Sequence, residues 1–212
     1  MDFLPVVIAL SFSLSVMPFA NAETTENLKP NRYIHQGEFT LAKLDEFKAY
    51  LEQYPTTSEI EFVNSMGASS YALELFEAYN QIIEQRKLVT YARGACNSLC
   101  ADLFLQGYGK YFLPAPDGGR TSLGMHPVFY GDMQISYQAS LDMDKTLQRR
   151  NPWLNEKPFF KMYDVKGVGG SIIIYSQPKA GHYVYFRESY GSKLQVLSDH
   201  TLEQLGIGLR DE

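Results

Sequence analysis

No run of lysine or arginine occurs anywhere in this chain, and 24 acidic against 19 basic residues leave it a net charge of −5. The electrostatic footprint of a nucleic-acid binder is missing, so nucleic acid is excluded as an expected partner. Internal repeats and low-complexity segments are missing too, which excludes a solenoid or an array. Positive charge is lacking even at the amino end, where only Asp2 precedes an apolar run from Phe3 to Val16, broken by Pro5 and scattered serines. Any charge ahead of that run would come from the amino terminus alone. Pro18 and the small-x-small pattern Phe19-Ala20-Asn21-Ala22 follow, so residues 1–22 read as a signal peptide cut before Glu23. The competing reading is an uncleaved anchor, since Phe3 to Ala22 approaches the roughly 20 residues that cross a bilayer core. The serines, Pro18 and the cleavage pattern favour removal, and the expected location is periplasmic or secreted.

What remains is about 190 of the 212 residues, ample for one core and short for two. Residues 23–31 are polar, aperiodic and carry Pro30, which marks a tether; 32–212 are expected to form one domain. Within it, Arg32–Gln36 fits a short strand. Leu41, Leu44, Phe47, Leu51 and Tyr54 recur at helical spacing until Pro55 ends them. Ile60–Val63 reads as a strand, Asn64–Ser70 as a turn, and Leu73, Phe76, Tyr79 and Ile83 as the apolar stripe of a second helix. Leu88–Ala92 starts another strand, Gly94 is expected to open a turn, and Ser98–Gln106 to form a helix closed by Gly107. Alternation of this kind predicts βαβ units and an α/β fold with a mainly parallel sheet. Lys110–Leu113 and Ser122–His126 follow as short strands, and Met133, Tyr137, Leu141 and Leu147 as a helix set apart by Pro152 and Pro158. The tail is β-rich, with Ser171–Tyr175, His182–Arg187 and Lys193–Leu197 forming hairpins before a last helix at Thr201–Leu205.

In a parallel sheet the turns after Val63 and after Arg93 meet at the carboxyl edge, where such sheets place their chemistry. Asn64-Ser65-Met66-Gly67-Ala68-Ser69 resembles the Asn-Ser-Pro-Gly-Gly-Ser turn of the proteolytic subunit of Clp protease. Gly94-Ala95-Cys96-Asn97-Ser98-Leu99 sits like that family's Gly-x-Ala-Ala-Ser-Met turn. Lys110-Tyr111-Phe112-Leu113-Pro114 and Gly124-Met125-His126-Pro127 are similar to its segment ending in the catalytic histidine, apart from inserted residues around Asp117-Gly118-Gly119. The likeness covers roughly 32 to 130 and fades afterwards. It is strongest to exported relatives in the wider Clp protease and crotonase superfamily that carry Cys-x-Ser-x-Cys around the serine. The resemblance implies repeated ββα units with a hairpin-rich C-terminal part, Ser98 as nucleophile, His126 as base, and the backbone N–H groups of Ala68 and Leu99 as oxyanion donors. It also implies a ring or trimer of identical chains, a peptide or ester substrate, no cofactor, no metal and no ATP.

The residues can be weighed without the family. A serine hydroxyl needs a neighbouring base and a set of donors before it attacks a carbonyl, and a helix N-terminus favours the developing negative charge. The bland alternatives are a helix cap for Ser98, a core histidine for His126, and ordinary turn glycines at Gly67 and Gly94. Ala68 stands where the family has glycine, which narrows the backbone angles open to it. His35, His182 and His200 belong to no motif. Cys96 and Cys100, the only cysteines, stand one helical turn apart across Ser98, and export would permit them to bridge. A metal held by both with His126, or a free thiol pair, are the other readings.

The family's closing helix keeps its catalytic aspartate four residues before the serine of a Leu-Ser pair, and this chain, with Leu197-Ser198, has Leu194 there. A substitute acid would be Asp199 or Asp164, with Asp102 and Asp132 as further candidates; without one a dyad remains. Three functions therefore compete. The first is a serine hydrolase, and the second a non-catalytic binding or assembly protein on the same fold. Crotonase-like acyl-CoA chemistry ranks last, because it needs a cytoplasmic cofactor.

Overall fold

The computed structural model describes residues 31–129, 134–164 and 170–211. The expected signal peptide, nearly all of the tether, Asp132 and Met133 lie outside the described residues.

Local chemistry sets the first elements. After strand β1 (Arg32–Gln36), Thr40 takes extended angles and its hydroxyl accepts from the Lys43 N–H at 3.2 Å, capping helix α1 (Leu41–Gln53). That helix buries Leu44, Phe47 and Leu51 and stops ahead of Pro55. Strand β2 (Glu59–Ser65) leads into α2 (Ala72–Arg86), whose Leu75, Phe76, Tyr79 and Ile83 face the core. Strand β3 (Val89–Asn97) and helix α3 (Leu99–Leu105) come next, then strands β4 (Lys110–Leu113) and β5 (Ser122–Met125) and helix α4 (Tyr137–Gln148). Two 3-10 helices, Pro152–Asn155 and Lys157–Tyr163, precede strands β6 (Ser171–Lys179), β7 (His182–Arg187) and β8 (Gln195–Ser198). Ala180 and Gly181, both at positive φ, make the two-residue turn between β6 and β7.

The nine strands of the described residues join in one sheet, ordered β1-β2-β3-β5-β6-β7-β8, with β4 beside β3 and the short β9 (Gly208–Leu209) beside β4. The first five strands and β9 pair in parallel; β5 through β8 pair antiparallel. The fold is mixed α/β with a largely parallel sheet. One apolar cluster runs through it, including Phe39, Phe47, Ile60, Phe62, Tyr79, Phe104 and Phe112. Each such side chain contributes about 1.5–3 kcal/mol by leaving water. The opposite side of β1–β3 carries a cluster of charged residues. There Glu61 accepts from Arg32 Nη1 at 3.0 Å and from Arg93 Nε at 2.6 Å, and Arg32 lies 3.9 Å over the Tyr91 ring.

Two expectations are corrected. Gly94 opens no turn; β3 runs through it to Asn97, because the partner changes there from β4 (through Arg93) to β5 (from Ala95). The Thr121 hydroxyl fills that fork, accepting from the Gly94 N–H at 2.9 Å and donating to the Leu113 carbonyl at 2.6 Å. The segment Thr201–Leu205 is not a helix but a chain of turns, closed by Ile207 N–H to Leu202 O at 2.9 Å, that delivers Gly208 and Leu209 to the edge of β4.

Candidate active site

Long β3 carries the chain to the carboxyl edge of the sheet, and Ser98 turns it into α3. Ser98 has φ 56° and ψ −132°, a combination that side chains avoid and that costs about 1–3 kcal/mol. Its hydroxyl caps nothing, although capping is the ordinary employment of a serine at this position. The angle is fixed by neighbours: the Ser98 N–H donates to the Gly124 carbonyl at 2.7 Å, and the Ser98 carbonyl accepts from the Ala101 N–H at 2.8 Å. A disulfide between Cys96 and Cys100 spans the same turn. With both sulfurs bridged, no thiolate remains for the metal reading that drew on them.

The turn after β2 lies directly against this serine. A β-carbon on Gly67, which has φ +93°, would stand 2.7 Å from Ser98 Cβ and 3.0 Å from its Oγ, so only glycine fits. Three hydrogen bonds hold the turn: Phe39 N–H to Gly67 O at 2.9 Å, Ser69 N–H to Glu38 Oε1 at 2.8 Å, and Asn97 Nδ2–H to Met66 Sδ at 3.3 Å. Among the described residues, neither the Ala68 N–H nor the Leu99 N–H has a hydrogen-bond acceptor. Ala68 is not a positive-φ residue, so its β-carbon meets no forbidden angle.

His126 follows β5, two residues beyond the carbonyl to which Ser98 donates. Its Nδ1 lies 2.7 Å from the Pro127 carbonyl. A carbonyl only accepts, so Nδ1 carries the proton and Nε2 keeps its lone pair, the tautomer a general base requires. Burial pushes the imidazole below its ordinary 6.5, and the Pro127 carbonyl pulls it partway back. Among the described residues no hydrogen bond joins Ser98 Oγ to His126.

The acids are distributed differently from expectation. Asp199 is 89% exposed and pairs with His182 at 3.0 Å, while Asp164 is exposed at the end of the second 3-10 helix. Asp102, a further candidate for the substitute acid, is buried. It lines a small cavity with His126, Pro127 and Asp144 of α4, a residue sequence reasoning missed. Asn64, whose Oδ1 accepts from the Ala95 N–H at 3.2 Å, Asn97 and Pro127 were missed as well. Only the asparagines left a signal, as turn-forming residues close in sequence to Gly67 and Gly94.

No family profile matches this chain, and no curated protein does. Among solved structures it is similar to the ClpP protease catalytic domain from Plasmodium falciparum, at 16% identity over 58% of this chain and 68% of that one, with a TM-score of 0.44.

Proposed function

We propose that this chain is an exported serine hydrolase, a peptidase by preference, on a Clp protease-like arrangement of ββα units. In this reading His126 Nε2 takes the Ser98 proton, Ser98 Oγ attacks the acyl carbon of a peptide or ester, and the Ala68 and Leu99 N–H groups hold the oxyanion. His126 passes that proton to the leaving amine or alkoxide as the acyl-enzyme forms; it then takes a proton from the water that attacks the acyl-enzyme and returns it to Ser98 Oγ as the acid departs. The observation that carries the reading is Ser98 itself, a strained serine whose hydroxyl caps nothing and rests against a glycine turn. Such a conformation persists only where its surroundings impose it, and it concentrates at functional sites. A nucleophilic serine on a sharp strand-to-helix turn is a recurrent solution in hydrolases. The Cys96–Cys100 bridge supports export, because such bonds form in oxidising compartments.

A fluorophosphonate probe tests the reading: it should label the folded protein and fail on Ser98→Ala. Absence of labelling between pH 5 and 9 would favour the second reading, a non-catalytic binding or assembly protein. That reading draws on the lack of a Ser98–His126 hydrogen bond and of a carboxylate on Nδ1. Self-association belongs to the proposal under either reading, and light scattering reporting a single chain at tens of micromolar would remove it.

A further inference from the structure

Beneath His126 lies a cavity of about 10 Å³, the room of one water molecule, lined by Asp102, His126, Pro127, Ser140, Asp144 and Tyr163 among others. Asp102 is only 7% exposed, and its carboxyl has no hydrogen-bond partner among the described residues. A buried carboxyl without a partner is costly unless it is protonated or solvated. Burial raises the Asp144 carboxyl above its ordinary range too, but the Tyr163 hydroxyl donates to its Oδ2 at 2.6 Å and pulls it partway back. One turn earlier on α4, Ser140 Oγ accepts from the Val128 N–H at 2.9 Å, which ties the acid-bearing helix to the segment that carries His126.

We propose that Asp102 and Asp144 share one proton across a water held in this cavity, and that the pair is the positioning acid behind His126. The inference rests on the hydrolase reading for its use, but not for its existence. Asp144, which receives the Tyr163 hydrogen bond, carries the negative charge; Asp102 keeps the proton and donates it to the water. The titratable groups facing Asp102 are Asp144 from α4, Tyr163 from the second 3-10 helix and His126 after β5, and no lysine or arginine lines the cavity. Burial first and the Asp144 charge second hold the Asp102 carboxyl well above its ordinary range, which agrees with a neutral acid. In this proposal the negative charge of the pair acts on His126 across the cavity that all three residues line.

The test uses the whole folded chain carrying Ser98→Ala, so that it is independent of any hydrolase activity. Asp102 has a folded pKa above its unfolded value, so the acid costs stability as pH rises from its unfolded pKa towards its folded one. Asp102→Asn should therefore gain thermal stability relative to its parent as pH rises from about 4, while His126, followed by nitrogen NMR, keeps its midpoint. Asp144→Asn should lower the His126 midpoint by about half a unit or more, because the charge is lost. Tyr163→Phe should move it in the same direction if Asp144→Asn does not fold. A loss of stability in Asp102→Asn that grows with pH, or a His126 midpoint unmoved by both Asp144→Asn and Tyr163→Phe, overturns the shared proton. With Ser98 restored and labelling by fluorophosphonate observed, the labelling midpoint should shift with the NMR midpoint; a fixed labelling profile overturns the positioning role. A parent that does not label, with the NMR shift intact, removes the hydrolase reading and keeps the acid pair.

Discussion

Gly67→Ala should displace the nucleophilic serine, and its cost can be worked from the structure. An alanine at φ +93° is held in a region that side chains avoid, at about 1–3 kcal/mol. Its β-carbon would also stand 2.7 Å from Ser98 Cβ, inside the 3.4 Å at which ordinary contact begins. Relieving that overlap moves one side or the other, and overpacking of this kind costs about 1–3 kcal/mol more. The sum, about 2–6 kcal/mol, should lower Tm by roughly 4–24 °C for a chain of this size. Gly37→Ala is the matched control: it has φ +81° and nothing within 4 Å of its added carbon, so it incurs the backbone cost alone. Thermal scans of both proteins isolate the overlap, and fluorophosphonate labelling reads its consequence at Ser98. A displacement approaching 1 Å should slow labelling by about a hundredfold, whereas Gly37→Ala should label like the parent. If the two variants melt together and label alike, the contact between the glycine turn and Ser98 is refuted.

Labelling should follow the neutral form of His126, and because burial lowers its pKa the rate should reach half-maximum below pH 6.5; a midpoint above that value contradicts the assignment. Asp164→Asn and Asp199→Asn should leave the rate unchanged, since both acids are exposed and Asp199 pairs with His182. His35 is buried with both ring nitrogens unbonded and stacked on Phe39, and burial lowers its pKa to about 4. Its unfolded pKa is higher, so its contribution is complete above pH 6.5 and is lost as pH falls towards 4, by roughly 3 kcal/mol; His35→Phe should flatten that acid limb in urea titrations. Protein isolated without reductant should show no mass increase on alkylation and two alkylations after reduction; two free thiols at the outset would refute the bridge.

Where local chemistry decides, the sequence was legible. Pro55 ends α1, β1 and β4 fall where the strand pattern places them, and the Gly67 turn and Ser98 come together at one sheet edge. The misreadings share a cause. Gly94 looks like a turn because nothing local reveals that β3 changes neighbours beside it, and Thr201–Leu205 has helical composition but is drawn out by pairing of the next residues with β4. The acceptor for His126 is a main-chain carbonyl, invisible to side-chain motifs, and Asp144 reaches the cavity only through the packing of α4. Asp199 and Asp164 were candidates by position in the chain, and the surface claims them instead.

The covalent link between Cys96 and Cys100 couples the last residues of β3 to the first turn of α3. A short helix of seven residues would ordinarily fray, exchanging its first amides through local openings of small free energy. Here the end that would fray is anchored to a strand paired on both flanks, so α3 can open only when the middle of the sheet opens with it. Amide hydrogens at Ala101 and Asp102 should then exchange only through the deepest opening of the protein, and reduction alone should return them to the fast class. The strained serine thus sits in a turn that a covalent bond ties to the sheet, and the oxidative history of the chain helps to set how still it is held.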